Sequence, residues 1–169
     1  AEAGIHMDVE ETGQTFEENA LLKARAVCQA CGIASVADDS GLCVDALDGA
    51  PGVYSARYAG PDATDSMRIE KLLSELENVP ESKRGAKFVS VVALALPDGR
   101  SFTARGEVLG SICRKPDGNG GFGYDPIFFV EEANNTFARM SEEQKNTISH
   151  RYRALTALAK LIEQQGLVF

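Results

Sequence analysis

The stretch from Lys87 to Leu96 most restricts how this chain can fold. Phe88, Val89, Val91, Val92, Leu94 and Leu96 are β-formers with little polar relief, the pattern of a strand covered on both faces. Pro97-Asp98-Gly99-Arg100 follows as a hairpin turn. Partner strands are expected over Ser101–Glu107 and Val108–Cys113. Around this hairpin, helical and strand-like segments are mixed, which predicts an α/β or α+β fold with a mixed, twisted sheet flanked by helices.

Thr15 and Glu18 form a capping box for a helix over Phe16–Cys31 that stops at Gly32. Phe16, Ala20, Ala24, Val27 and Cys31 recur at helical spacing and mark its inner face, leaving Lys23 and Arg25 solvated or at a rim. Ile33–Ala37 reads as a short buried strand, Asp38–Gly41 as a turn, and Leu42, Val44 and Ala46 as the inward side of a second strand. Gly49-Ala50-Pro51-Gly52 is a loop, and Asp62 can cap a helix running to about Leu76. Arg114–Tyr124 is a long Gly-rich connection of the kind that often carries function, and Pro126–Val130 is strand-like again. Ser141 opens a further capping box, and the helix it starts either continues or restarts near His150. Ala154, Leu155, Leu158, Leu161 and Ile162 give the last helix its apolar face.

With 169 residues the chain is expected to be a single domain over 1–169. Its formal charge of −8 argues against binding a nucleic-acid polymer, whose affinity comes from Lys and Arg on phosphates. A small phosphorylated ligand stays open, because a bound cation can invert the local field. No apolar run reaches membrane-spanning length, and Ala1–Ile5 lacks a signal core. The spacing of Cys28 and Cys31 falls late in a helix, where no helix N-terminus lowers a thiol pKa, and no second Cys or His pair completes a zinc site. The four cysteines are therefore read as reduced, buried thiols of a cytoplasmic protein.

Chemistry concentrates in three places. Asp38 and Asp39 are adjacent acids at the end of an apolar run, costly unless their charge is used, and the usual user is a hard divalent cation such as Mg²⁺. Phe122-Gly123-Tyr124-Asp125 joins flexible backbone to aromatic faces that can stack on a base. Lys145, His150 and Arg151 form a basic set, and a helix break near Thr147 would let them converge.

In order along the chain, Glu10–Ala20, Ala37–Leu42, Gly49–Tyr58, Gly120–Pro126 and Ser141–Arg151 resemble the motifs of the Ham1-like inosine triphosphate pyrophosphatase family. The resemblance implies an ITPase-like fold and Mg²⁺-dependent hydrolysis of non-standard purine triphosphates (ITP, dITP, XTP) to monophosphate and pyrophosphate, by a homodimer. It implies Asp39 as proton acceptor and metal residue. It implies a metal-binding Glu near the first helix, where alignment by Gly13 favours Glu10 with Glu11 as the alternative. Ser40, Phe122, Gly123, Tyr124, Asp125, Lys145, His150 and Arg151 are implied as substrate contacts; Lys23, Arg57 and Tyr58 are secondary, non-catalytic candidates, Arg57 serving either a dimer interface or the pocket rim. One departure is large. Family members open with a strand, a Ser/Thr-Gly-Asn-x-x-Lys loop that holds the triphosphate, and a helix; only Ala1–Val9 stand ahead of Glu10 here. The expectation is a domain truncated at its N-terminus, lacking the family's first strand and helix. An alternative reading is a catalytically impaired nucleotide-binding or oligomeric module. Arg139 also stands where the family usually has Glu.

Overall fold

A computed structural model describes residues 9–167. The segment Ala1–Asp8, on which the readings of signal core and missing loop fall, lies outside them, as do the last two residues of the expected domain. Four helices, α1 (Phe16–Cys31), α2 (Asp65–Glu75), α3 (Glu142–Ile148) and α4 (His150–Gln164), surround one sheet. Its strands are β1 (Ser35–Val44), β2 (Gly85–Ala95), β3 (Ser101–Ile112), β4 (Phe128–Val130) and β5 (Asn135–Thr136), in spatial order of sequence. Helices and sheet mix as expected. Every named strand pair is antiparallel, where strands of both directions were anticipated.

β2 is the keystone, and its alternation explains why the sequence shows no polar relief there. Val89, Val91, Ala93 and Ala95 pack against Phe16, Ala20, Ala24 and Cys28 of α1. Val92, Leu94 and Leu96 pack against Ala154 and Leu158 of α4. Phe88 joins a third cluster with Leu42, Leu72 and Phe128. Each Val or Leu buried in this way contributes roughly 1.5–3 kcal/mol.

α1 carries the expected capping box, and Gly32 ends it in the left-handed region at φ 71°. Its inner face runs through Cys28 and the fully buried Asn19, while Val27 and Cys31 are only part-covered. The four thiols are free, and only Cys28 is buried.

The two short strands expected over 33–47 are one. β1 runs unbroken through Asp38–Gly41, with Asp39 opposite Val91 and Ser40 opposite Ser90. Gly41 makes no turn: a Cβ there would lie 2.4 Å from the Gly52 carbonyl oxygen and 2.9 Å from the Phe16 ring, so the glycine admits its neighbours. Likewise β3 is one strand of 12 residues. α2 is capped by Thr64, whose Oγ1 accepts from the Met67 N–H at 3.3 Å, and not by Asp62. Of continuation and restart, the structure takes restart: Ser149 leaves the helix (φ −62°, ψ 154°) and accepts from the Tyr152 N–H to start α4.

Candidate active site

β1 presents successive side chains to opposite faces. Asp39 faces α1, and Asp38 and Ser40 face α4. On the α1 side, Lys23 Nζ lies 2.8 Å from Glu11 Oε1 and 2.9 Å from Asp39 Oδ1, so one ammonium joins two carboxylates. Asn19 Nδ2 donates to Asp39 Oδ2 at 3.3 Å, and Asn19 Oδ1 accepts from the Gly13 N–H at 2.8 Å, tying the loop before α1 to the same acid. Burial pushes the Asp39 carboxyl above its ordinary range, more than Lys23 draws it down. For Lys23, burial works against the charge, but hydrogen bonds to Glu11 and Asp39 win and raise its pKa.

Two carboxylates sharing one cation are a donor set that fits a hard divalent ion. Among the described residues no cluster of three or more His, Cys, Asp or Glu forms, so water and phosphate oxygens would complete the coordination. The glutamate brought to Asp39 is Glu11. Glu10 is exposed and makes no ion pair among the described residues; its carbonyl accepts from the Thr12 N–H at 3.1 Å, a tight turn at Glu11.

On the α4 side, a cavity of about 280 Å³ is lined by Ser40, Phe122, Gly123, Tyr124, Asp125, His150 and Arg151. A second, of about 440 Å³, shares Phe122, His150 and Arg151 with it and adds Lys145. All eight residues expected to contact substrate thus gather around two adjoining spaces, and Asp39 lies across the strand from them. Asp38, on the α4 face, holds two of these residues. Its Oδ2 accepts from Arg151 Nε at 3.0 Å and Nη2 at 2.9 Å, and from the Ser40 hydroxyl at 3.0 Å. Ser40 Oγ also lies 2.9 Å from Ser90 Oγ.

The aromatic pair divides. Tyr124 is buried, and its hydroxyl donates to the Ser55 carbonyl at 3.0 Å. Phe122 is 62% exposed, with Lys145 Nζ 4.4 Å from its ring centroid. One face of that ring holds an ammonium, leaving the other for a stacked base. Asp125 is buried, pairs with Lys145 and accepts from the Phe122 N–H at 2.9 Å. Gly121 (φ 75°) allows this: a Cβ would stand 2.1 Å from Asp125 Oδ2.

His150 stacks on Phe88 at 4.9 Å, and burial, helped by Arg151 and Lys145, pulls its pKa down to about 4. The imidazole is therefore neutral near pH 7, and its Nδ1 is buried without a hydrogen-bond partner. Of the other secondary candidates, Arg57 lies 3.6 Å from Glu11, and Tyr58 bonds Glu75 away from both cavities. Arg139 is on the surface, 2.7 Å from Asp117.

Sequence reasoning kept Lys23 as a secondary candidate and gave no role to Asn19, Asp65 or Arg68; Asp38 was read with Asp39 as an acid pair for a divalent cation, and instead it holds Arg151 and Ser40. Lys23 and Asn19 were findable, since they stand four apart on one helical side, with Asn19 on an otherwise apolar stripe. Asp65 and Arg68 carried no such signal.

Residues 1–161 match the Ham1 family model. A dITP/XTP pyrophosphatase of Geobacter sulfurreducens is 53% identical over 160 residues, which span 95% of this chain and 80% of that protein. Its counterpart in Bacillus subtilis is 49% identical, over 96% of this chain and 82% of the relative. The solved structure of the Staphylococcus aureus Ham1 protein superposes with a TM-score of 0.89 at 48% identity, covering 94% of this chain and 82% of that one. The chain belongs to the Ham1 family.

Proposed function

We propose that this Ham1-family chain hydrolyses non-standard purine nucleoside triphosphates (ITP, dITP and XTP) between the α and β phosphates, giving monophosphate and pyrophosphate. The observation that carries this reading is the division of labour along β1: Asp39 stands with Glu11 and Lys23, Ser40 lines the neighbouring cavity, and Asp38 holds Arg151. A nucleotide spanning these places would meet oxygen donors and an ammonium at its phosphates and an aromatic face at its base.

Glu11 and Asp39 would hold a divalent cation, Mg²⁺ in this reading, with Glu11 replacing Glu10. Such an ion, when bound, neutralises charge on the phosphate oxygens. Asp39 accepts a proton from the attacking water. The water oxygen joins phosphorus as pyrophosphate leaves. Lys23 meets phosphate charge, Phe122 stacks on the purine, and Lys145, neutral His150 and Arg151 meet the polar edge of the base and the phosphates. Desolvated donors reject a base whose substituents leave them unpaired, which separates 6-keto purines from adenine.

A cytoplasmic homodimer completes the proposal. Among the described residues no helix is long and apolar enough to cross a membrane. The purified chain with Mg²⁺ should release pyrophosphate from ITP, dITP and XTP, far faster than from ATP. Orthophosphate as the product, or no release at high enzyme concentration, would refute the reading.

A further inference from the structure

Two side-chain polar atoms among the described residues are buried without a hydrogen-bond partner: His150 Nδ1 and Arg68 Nε. Both residues line the 280 Å³ cavity. An unsatisfied buried donor costs roughly 1–3 kcal/mol, more when charged, and folded interiors rarely leave one without water or a ligand to complete it. His150 belongs to the basic set at the end of the chain. Arg68 comes from α2, on the other side of the cavity.

The surroundings of Arg68 fix how its guanidinium lies. Thr64 caps α2, Asp65 is the first residue of the helix, and Arg68 stands one turn on. Asp65 Oδ1 takes Arg68 Nη1 in an ion pair, while Asp65 Oδ2 accepts from the Gly123 N–H at 2.7 Å. One carboxylate therefore orients both the guanidinium and the peptide next to Phe122. With Nη1 engaged, the planar group cannot turn without breaking its pair, and the Nε–H stays in a fixed direction.

We propose that Arg68 is a specificity-determining residue of the purine site, its Nε–H donating to a keto oxygen of the bound base, with Asp65 as the positioning residue that aligns it with the Gly121–Asp125 loop. This rests on the purine triphosphatase reading and deepens it. A keto oxygen satisfies the Nε–H. An amino group in the same place sets donor against donor and leaves both unpaired in a desolvated space, which is the strong form of discrimination.

The test compares kcat/KM for ITP and ATP, and calorimetric affinity for IMP, in the wild type, Arg68→Met and Arg68→Lys. Arg68→Lys keeps a cation for Asp65 but loses the Nε–H, so it carries the test if Arg68→Met does not fold. Both variants should lose roughly 10-fold in IMP affinity and in kcat/KM for ITP, mainly through KM. Their kcat/KM for ATP should stay within about 2-fold, so the ITP:ATP ratio contracts by nearly the same factor. Equal losses for ITP and ATP would show a structural role only, and unchanged ITP kinetics would show none; either overturns the assignment. A wild type that neither hydrolyses ITP nor binds IMP would remove the underlying reading and the role of Arg68 together. A wild type that prefers ITP, with variants keeping its ratio, removes the role of Arg68 alone.

Discussion

Asp38 and Asp39 are neighbours in the chain and do different work, because strand side chains alternate between faces. Asp38 grips Arg151, and Asp39 shares Lys23 with Glu11. The pair was visible in the sequence as a costly feature. Its split was not, since a turn at Ser40-Gly41 and a strand with a close approach at Gly41 use the same residues. That Glu11 and not Glu10 lies beside Lys23 was equally hidden, because it depends on how the turn before Gly13 sits against α1. His150 carries a prediction at this scale. Its folded pKa of about 4 lies below the ordinary 6.5, so the unfolded chain binds more protons between those values, and stability rises with pH across that window. Acidification from pH 6.5 to 4 should remove on the order of 3 kcal/mol through this one group. His150→Asn lacks that loss. Urea titrations should show the stability gap between wild type and variant narrowing as pH falls; a gap constant from pH 7 to 4 would contradict the assignment.

At the scale of elements, the contact between α4 and β3 sets the position of the basic residues. Gly106 makes it possible: a Cβ would stand 2.3 Å from both the Ala154 nitrogen and the His150 carbonyl oxygen. These are backbone atoms and cannot swing aside. Gly106→Ala should push α4 off the sheet, costing roughly 1–3 kcal/mol and displacing His150 and Arg151 with it. Urea unfolding and IMP calorimetry should show both losses, and an Ala variant with wild-type stability and affinity would refute this view of the interface. The elements were largely legible where local chemistry decides them. Thr15 and Ser141 announce capping boxes, and the apolar run of β2 announces burial on both faces. The continuity of β1 and β3 was not legible, because it depends on pairing with β2 over ten and eleven residues. A helix break near Thr147 was the condition for the basic residues to converge, and the break lies at Ser149, since a Ser that caps the next helix stops the one before it.

For the whole molecule, a net charge of −8 would repel a triphosphate at long range, yet Lys23, Lys145 and Arg151 gather cationic groups where a nucleotide would lie. Family and fold class were readable from five motifs in order. What they could not give is the assembly around β1, in which Asp39 with Glu11 and Lys23 on one face and Asp38 with Arg151 on the other are carried by a single strand. The account stands on these two faces serving one nucleotide, and Asp39→Asn tests that most directly. The variant should bind IMP with wild-type affinity, because the residues proposed to meet the base lie across the strand, and should release pyrophosphate from ITP roughly 10²–10⁴-fold more slowly. Turnover near the wild-type rate, or loss of IMP binding together with activity in a folded variant, would contradict it.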